Sequence, residues 1–309
     1  MAGTEMNEVV VDSSSNDKKA SKFKVGGSFT LKKEWVISWV DLKASVRNKA
    51  SKGAAERELL KGLTGTAHPG TLLAIMGPSG SGKTTLLNML AGKIAGTITK
   101  TGEVLYGRQR LRPDIKSQLS YMHQDEMIWA ELTVKEQLNL NAHLRMPSDT
   151  TDAVKTAYID DLTSKLGLGK TVNTLIGSIG HGISGGERKR LSFACELLND
   201  PSMLLADEPT SGLDSYMAEG LVRLMKKFAH GEGGSSRTIL TTIHQPSSEV
   251  FLLFDQLLLM HEGAVAYHGP TAEASAFFAA AGAAVPTGFN PADHYLRQLA
   301  MGYLDQVEL

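Results

Sequence analysis

The sequence predicts an α/β core with a mixed sheet and an inserted α-helical subdomain. Three observations predict it. Short continuous apolar runs alternate with segments of helical periodicity, as strands buried on both faces alternate with the helices that cover them. One such run, TLLAIMG at 71–77, ends in a glycine-rich loop that opens a helix. Between about residues 125 and 200 the apolar positions recur at helical spacing instead.

Residues 1–33 are rich in Ser, Lys, Asp and Gly and lack periodicity, so they are expected to form a leader outside the fold. WVISWVDLKASV, from Trp35, is rich in β-branched and aromatic residues and predicts a strand, and the polar RNKASKGAAERE after it predicts a loop. TLLNMLAG at 85–92 continues the glycine loop as a helix. In the helical block Thr133 and Glu136 have capping-box spacing, and Val154, Tyr158, Leu162 and Leu166 recur every four residues. MLLADEP (203–209) and TILTTIHQP (238–246) are buried-strand candidates, divided by a helical stretch and the flexible loop HGEGGSSR. QLLLMHEGAVAYHG predicts a hairpin around Glu262 and Gly263. The fold is expected over 34–300, without internal repeats.

Composition narrows the function by exclusion. With 42% hydrophobic and 21% charged residues, the 309-residue chain can bury a sizeable core. Its 32 basic and 33 acidic residues leave no basic footprint, so no nucleic-acid partner is expected. The single cysteine, Cys195, excludes an internal disulfide framework and fits a reducing compartment. The low-charge stretches 251–260 and 274–285 fall short of the roughly 18–20 apolar residues of a membrane span, and the N-terminus has no secretory h-region. The chain is therefore expected to be soluble by itself, with any membrane link made through another segment or a partner.

Gly77, Pro78, Ser79, Gly80, Ser81, Gly82, Lys83 and Thr84 match the P-loop pattern G-x-x-x-x-G-K-[ST], in the strand-to-helix context that its mechanism needs. Its glycines let backbone N–H groups turn toward phosphate oxygens at a positive helix end. Lys83 is expected to reach the β- and γ-phosphates and Thr84 to hold Mg²⁺, with Thr85 beside them. Asp207 and Glu208 end an apolar run, where an unpaired charge is costly. Asp207 is the candidate metal-side residue and Glu208 the candidate to position or deprotonate an attacking water; the bland alternative is a helix-capping pair before Pro209. Ser184, Gly185, Gly186 and Glu187 read equally as a capping box and as a phosphate-binding helix start.

Taken together and in this order, these segments resemble the nucleotide-binding domain of ABC transporters over about 35–300. Residues 183–187 (ISGGE) look like the family's signature motif, 211–214 (SGLD) like its D-loop, His244 like its switch histidine, and Gln124 in YMHQDE like its Q-loop glutamine. The resemblance is closest to the G, or white-like, subfamily, in ISGGERKRLSFACELL, DEPTSGLDS, TTIHQPSSEVF and YHGPTAEASAFFAAAGAAVPTGFNPADHYL.

The resemblance implies an ATPase that powers transmembrane transport with ATP and Mg²⁺. Two such domains, identical or different, pair head to tail, so that Ser184, Gly186 and the Asp214 segment of one face the nucleotide of the other. It further implies that Gln124 contacts Mg²⁺ or the water and couples to a membrane domain, and that His244 holds the γ-phosphate. Subfamily members look like half-transporters for lipids, sterols, pigment precursors or xenobiotics, with a six-helix membrane domain following this one. Residues 301–309 are then the start of a linker to a membrane domain absent from this chain, and the nucleotide-binding domain sits at the cytosolic face of a membrane. The alternative is a truncated module that binds nucleotide and regulates full-length partners without transporting. Soluble ABC ATPases acting on DNA ends or ribosomes are disfavoured, since neither long coiled coils nor a second cassette is present. One departure concerns the base: where many ABC proteins place an aromatic residue, DLKASV has Ala44. Losing that platform forgoes about 1–3 kcal/mol of stacking, by analogy with single-stranded nucleic acid, so weak discrimination between ATP and GTP is expected.

Overall fold

A computed structural model of the chain describes residues 34–46, 56–94, 96–178, 181–232 and 235–307, except the side chains of 302–307. The leader over 1–33 lies outside the described residues, as does most of the polar loop over 47–58. In chain order, β1 (Ile37–Val46), β2 (Arg57–Ala67) and β3 (Thr71–Met76) lead into α1 (Lys83–Leu90). They are followed by β4 (Ile98–Tyr106), α2 (Pro113–Lys116) and β5 (Leu119–Met122). The helical block holds α3 (Val134–Arg145), α4 (Asp152–Lys165), the short pair β6 (Gly177–Ser178) and β7 (His181–Gly182), and α5 (Gly185–Leu197). Then come β8 (Met203–Ala206), α6 (Ser215–Ala229), β9 (Thr238–Thr242), α7 (Ser248–Phe251), β10 (Gln256–His261), β11 (Ala264–Pro270), α8 (Thr271–Ala280) and α9 (Pro291–Val307).

The main sheet has the order β11-β10-β3-β9-β8-β5, parallel from β10 to β5 and antiparallel between β10 and β11, and is therefore mixed. Side-chain alternation in β3 explains its unbroken apolar sequence. Leu72, Ala74 and Met76 pack into one core with Leu138 of α3, Leu191 of α5 and Val222 of α6. Leu73 and Ile75 face the opposite way, into a second core with Leu86 and Leu87 of α1 and Trp39 of β1. β8 divides likewise, Leu204 and Ala206 to the first core, Met203 and Leu205 to the second. Burial on both faces erases polar alternation, which is why these strands read as runs. The block α3–α5 enters between β5 and β8, neighbours in the sheet.

A second sheet, β2-β1-β4, is antiparallel throughout and was not among the expected elements beyond its first strand. Its register slips between Trp39 and Leu42, where Asp41 has φ 48° and Gly102 leaves no room for a Cβ beside the Asp41 carbonyl. Such bulges break the two-residue period by which strands are recognised. β2 also begins at Arg57, inside the stretch expected to be loop.

Three further expectations change. In α4 the buried stripe is Lys155, Ile159 and Leu162 followed by Leu166, not Val154, Tyr158, Leu162 and Leu166, because a strict four-residue repeat drifts around a helix of 3.6 residues per turn. Arg237, expected in a flexible loop, is 2% exposed; it pairs with Asp200 at 2.6 Å and donates to the carbonyls of Pro201, Phe228 and Ser235. The expected linker from residue 301 continues α9 as helix to Val307.

Candidate nucleotide-binding site

The P-loop occupies the turn between β3 and α1. Gly80 has φ 79° and nothing within 4 Å of an added Cβ, so the front of the loop is open. At Gly82, with φ 99°, a Cβ would lie 2.8 Å from the Leu59 carbonyl oxygen, so only glycine lets the loop pass β2. Lys83 is 6% exposed and folds back over the loop, its Nζ donating to Gly77 O at 2.8 Å and Pro78 O at 3.1 Å. Burial lowers its pKa, opposed by the charges of Glu208 and Asp207. Ser81 is buried, and its hydroxyl has no hydrogen-bond partner among the described residues.

Asp207 follows β8 and is 5% exposed. Thr84 Oγ1 donates to its Oδ1 at 3.1 Å, and Thr242 Oγ1, from the end of neighbouring β9, donates to the same oxygen at 2.6 Å. Thr242 Oγ1 in turn accepts from Glu208 N at 2.8 Å. Glu208 has left-handed φ 45°, a strained state that needs such support. Gln124 Nε2 donates to Glu208 Oε2 at 3.1 Å, and His244 Nε2 lies 3.5 Å from Ser79 Oγ. The structure thus gathers the P-loop, Asp207, Glu208, Gln124 and His244 at the C-terminal ends of β3, β5, β8 and β9, where open α/β sheets take their ligands.

These residues fit a Mg-nucleotide. A threonine hydroxyl and a carboxylate at 3.1 Å are the hard oxygen donors that Mg²⁺ takes beside substrate phosphates. The open glycine loop and the Lys83 ammonium match the phosphates. The capping alternative for Asp207 and Glu208 fails: α6 is capped by Asp214, whose Oδ1 accepts from Met217 N at 2.8 Å.

Ser184, Gly185, Gly186 and Glu187 stand apart from this cluster. No hydrogen bond among the described residues joins them to the P-loop. Ser184 caps α5 in a full capping box, its Oγ accepting from Glu187 N at 3.3 Å while Glu187 Oε2 accepts from Ser184 N at 2.8 Å. The SGLD segment lies nearer the catalytic candidates: Ser211, Gly212 and Leu213 line a cavity of about 300 Å³ together with Glu208, His244 and Gln245.

Ala44 is corrected. It is 1% exposed and packs inside the second core, so it does not present a surface to a base and the argument from a missing platform lapses at that position. Sequence reasoning also missed two residues. Thr242 was hidden within a strand read only as apolar, although a threonine pair there was itself a signal. Lys189, four residues past the capping glycine pair's start, donates to Gln124 O at 2.9 Å and pairs with Glu126 at 3.3 Å, tying α5 to the glutamine's backbone.

Comparison with known proteins gives the family. The pattern of the family described as ABC transporter matches residues 60–211, and that of a second family, ABC-2 type transporter, matches 244–304. The second match makes the expected absence of any membrane-domain segment doubtful, although no helix among the described residues is long and apolar enough to cross a membrane. The chain is 44% identical over 273 residues to Protein white of Ceratitis capitata, covering 85% of this chain and 40% of that protein. It is 45% identical over 253 residues to Protein white of Drosophila melanogaster, covering 80% and 36%. To ABC transporter G family member 13 of Arabidopsis thaliana it is 43% identical over 262 residues, covering 84% and 38%. The chain thus spans about 40% of the length of the first of these curated relatives and less of the other two.

Proposed function

Because the chain belongs to the G subfamily of the ABC transporter family and carries its ATP-binding domain, we propose that it hydrolyses Mg-ATP to power transport across a membrane, as one of two paired domains. The observation that carries this is the junction at Asp207, which receives the P-loop hydroxyl of Thr84 and leaves Glu208 beside it, braced by Thr242 and Gln124.

Lys83 and the loop's N–H groups hold the phosphates. Thr84 and Asp207 hold Mg²⁺, with Gln124 beside them, and the ion when bound neutralises charge on the phosphate oxygens. Glu208 orients the attacking water and takes its proton, and His244 fixes the γ-phosphate side. Ser184 and Gly186 meet the nucleotide held by the partner domain. The catalytic power is positional and electrostatic. The cargo is of the class implied by the subfamily: a lipid, sterol, pigment precursor or xenobiotic.

The test is Mg-ATP hydrolysis by the chain across protein concentrations, beside Glu208→Gln, with dimerisation followed in parallel. Turnover that rises with concentration, and a Glu208→Gln variant that accumulates an ATP-bound dimer without turnover, support the shared site. Tight ATP binding with neither dimer nor turnover favours the regulatory module. Wild-type turnover in a Glu208→Gln dimer removes the assigned role.

A further inference from the structure

We propose that Asn290 is a positioning residue for His244, fastening the histidine's loop to the start of α9; this rests on the role given above to His244. The sheet fixes the chain as far as Ile243, whose N donates to Ile75 O at 3.0 Å. Beyond it His244 is exposed and Gln245 takes left-handed φ 46°. A non-glycine residue stays in that conformation only when its flanks hold it there. The downstream flank is Pro246, which is buried, and its carbonyl oxygen accepts from Asn290 Nδ2 at 2.8 Å.

Asn290 divides its amide between two tasks. Its Oδ1 accepts from Ala292 N at 3.0 Å at the start of α9, while Nδ2 serves Pro246 O and also lies 3.2 Å from Asp293 Oδ2. α9 is a firm base for this link. Tyr295 stacks on Phe278 of α8 with ring centroids 4.2 Å apart, and meets Phe251 of α7 edge-on at 6.1 Å. α7 itself begins directly after the histidine's loop, with Ser247 as its cap. The imidazole's own contact, to Ser79 Oγ, is long at 3.5 Å and anchors it weakly. Its placement is therefore set by backbone, and α9 supplies the downstream restraint. The amide of Asn290, forty-six residues beyond the histidine in sequence, thus joins α9 directly to the histidine's loop, beside the ring contact of Tyr295 with α7.

The two tasks can be separated. Asn290→Asp keeps an oxygen acceptor for Ala292 N and adds a negative charge that a helix N-terminus favours, but it replaces the donor to Pro246 O with a second acceptor and sets a carboxylate beside that of Asp293, which offsets the gain at the helix end. The expected result in the full chain is a melting temperature within about 4 °C of wild type, a kcat for Mg-ATP lower by about tenfold, as misplacement of a catalytic group produces, and a KM changed by less than about twofold. In a His244→Ala background the same substitution should slow turnover no further, since both changes act through one imidazole. Wild-type kcat in Asn290→Asp overturns the inference, as does full additivity with His244→Ala. So does a loss of activity that only follows a fall in melting temperature, which marks a helix cap and nothing more. If His244→Ala itself turns over normally, the role of His244 falls and takes this inference with it. A slow His244→Ala beside a fast Asn290→Asp removes Asn290 alone.

Discussion

The Thr242 hydroxyl donates to Asp207 Oδ1 at 2.6 Å across the ends of two neighbouring parallel strands, and Thr242 Oγ1 itself accepts from Glu208 N at 2.8 Å. One buried hydroxyl thus sets both acidic residues. Thr242→Val has nearly the same shape and loses both bonds, leaving the Glu208 N–H without its acceptor. Unfolding free energy should fall by about 1.5–3 kcal/mol, the usual value of a hydrogen bond to a charged group, measured by urea titration. Turnover at saturating Mg-ATP should drop by about tenfold or more, and Thr242→Ser should restore most of it.

The buried Arg237 ends a loop that composition alone marks as polar and flexible. Its guanidinium satisfies three carbonyl oxygens and pairs with Asp200 at 2.6 Å. Arg237→Met fills similar volume but supplies none of those donors. Asp200 is 48% exposed and regains water when the pair is lost, so the cost lies in the carbonyls of Pro201 and Phe228 left without a donor, about 1–3 kcal/mol each, and this variant should melt below the wild type.

What the sequence made legible, and what it hid, follows the range of each interaction. The P-loop, the Asp207–Glu208 pair and both capping boxes depend on residues within eight positions of one another, and each appears where its spacing put it. Thr242, Lys189 and Arg237 act on residues 35, 65 and 37 positions away, and no local pattern announces them. The antiparallel sheet stayed hidden because β2 buries Leu60, Leu63 and Ala67, an i, i+3, i+7 spacing that its irregular register imposes and that matches helix rather than strand periodicity. Ala44 misled for a related reason: which side of a bulged strand faces the core cannot be counted off from its neighbours.

Cys195 lies in the core beneath α3, and burial pushes its thiol up to about 12 from an ordinary 9.0. The neutral thiol is thus the folded form. Iodoacetamide at pH 8 should leave it unmodified in the folded protein and alkylate it after denaturation, read by intact mass. The sign of the linkage follows: the contribution is intact below pH 9 and is lost between about 9 and 12, where the unfolded chain releases a proton that the folded one retains. Cys195→Ala should flatten that alkaline decline.

Ser184 is the residue at which two roles predict different outcomes. In the single chain its hydroxyl is wholly occupied, accepting from Glu187 N at 3.3 Å and donating to Glu187 Oε2 at 2.8 Å. As a cap it must accept from Glu187 N, which aspartate does as well as serine, although aspartate gives up the donation to Glu187 Oε2 and sets two carboxylates side by side. As a clamp on the partner's phosphate it needs a neutral donor, and a carboxylate there meets the γ-phosphate charge against charge. Ser184→Asp separates the two. Stability should fall by about 1–3 kcal/mol, the worth of the lost hydrogen bond to the Glu187 carboxylate beside a retained cap, and monomeric ATP binding should be unchanged because the P-loop is elsewhere. Mg-ATP-driven dimerisation, followed by light scattering, should be lost, and turnover with it. Dimers that form as readily as in the wild type reduce Ser184 to the cap of α5 and remove it from the shared site.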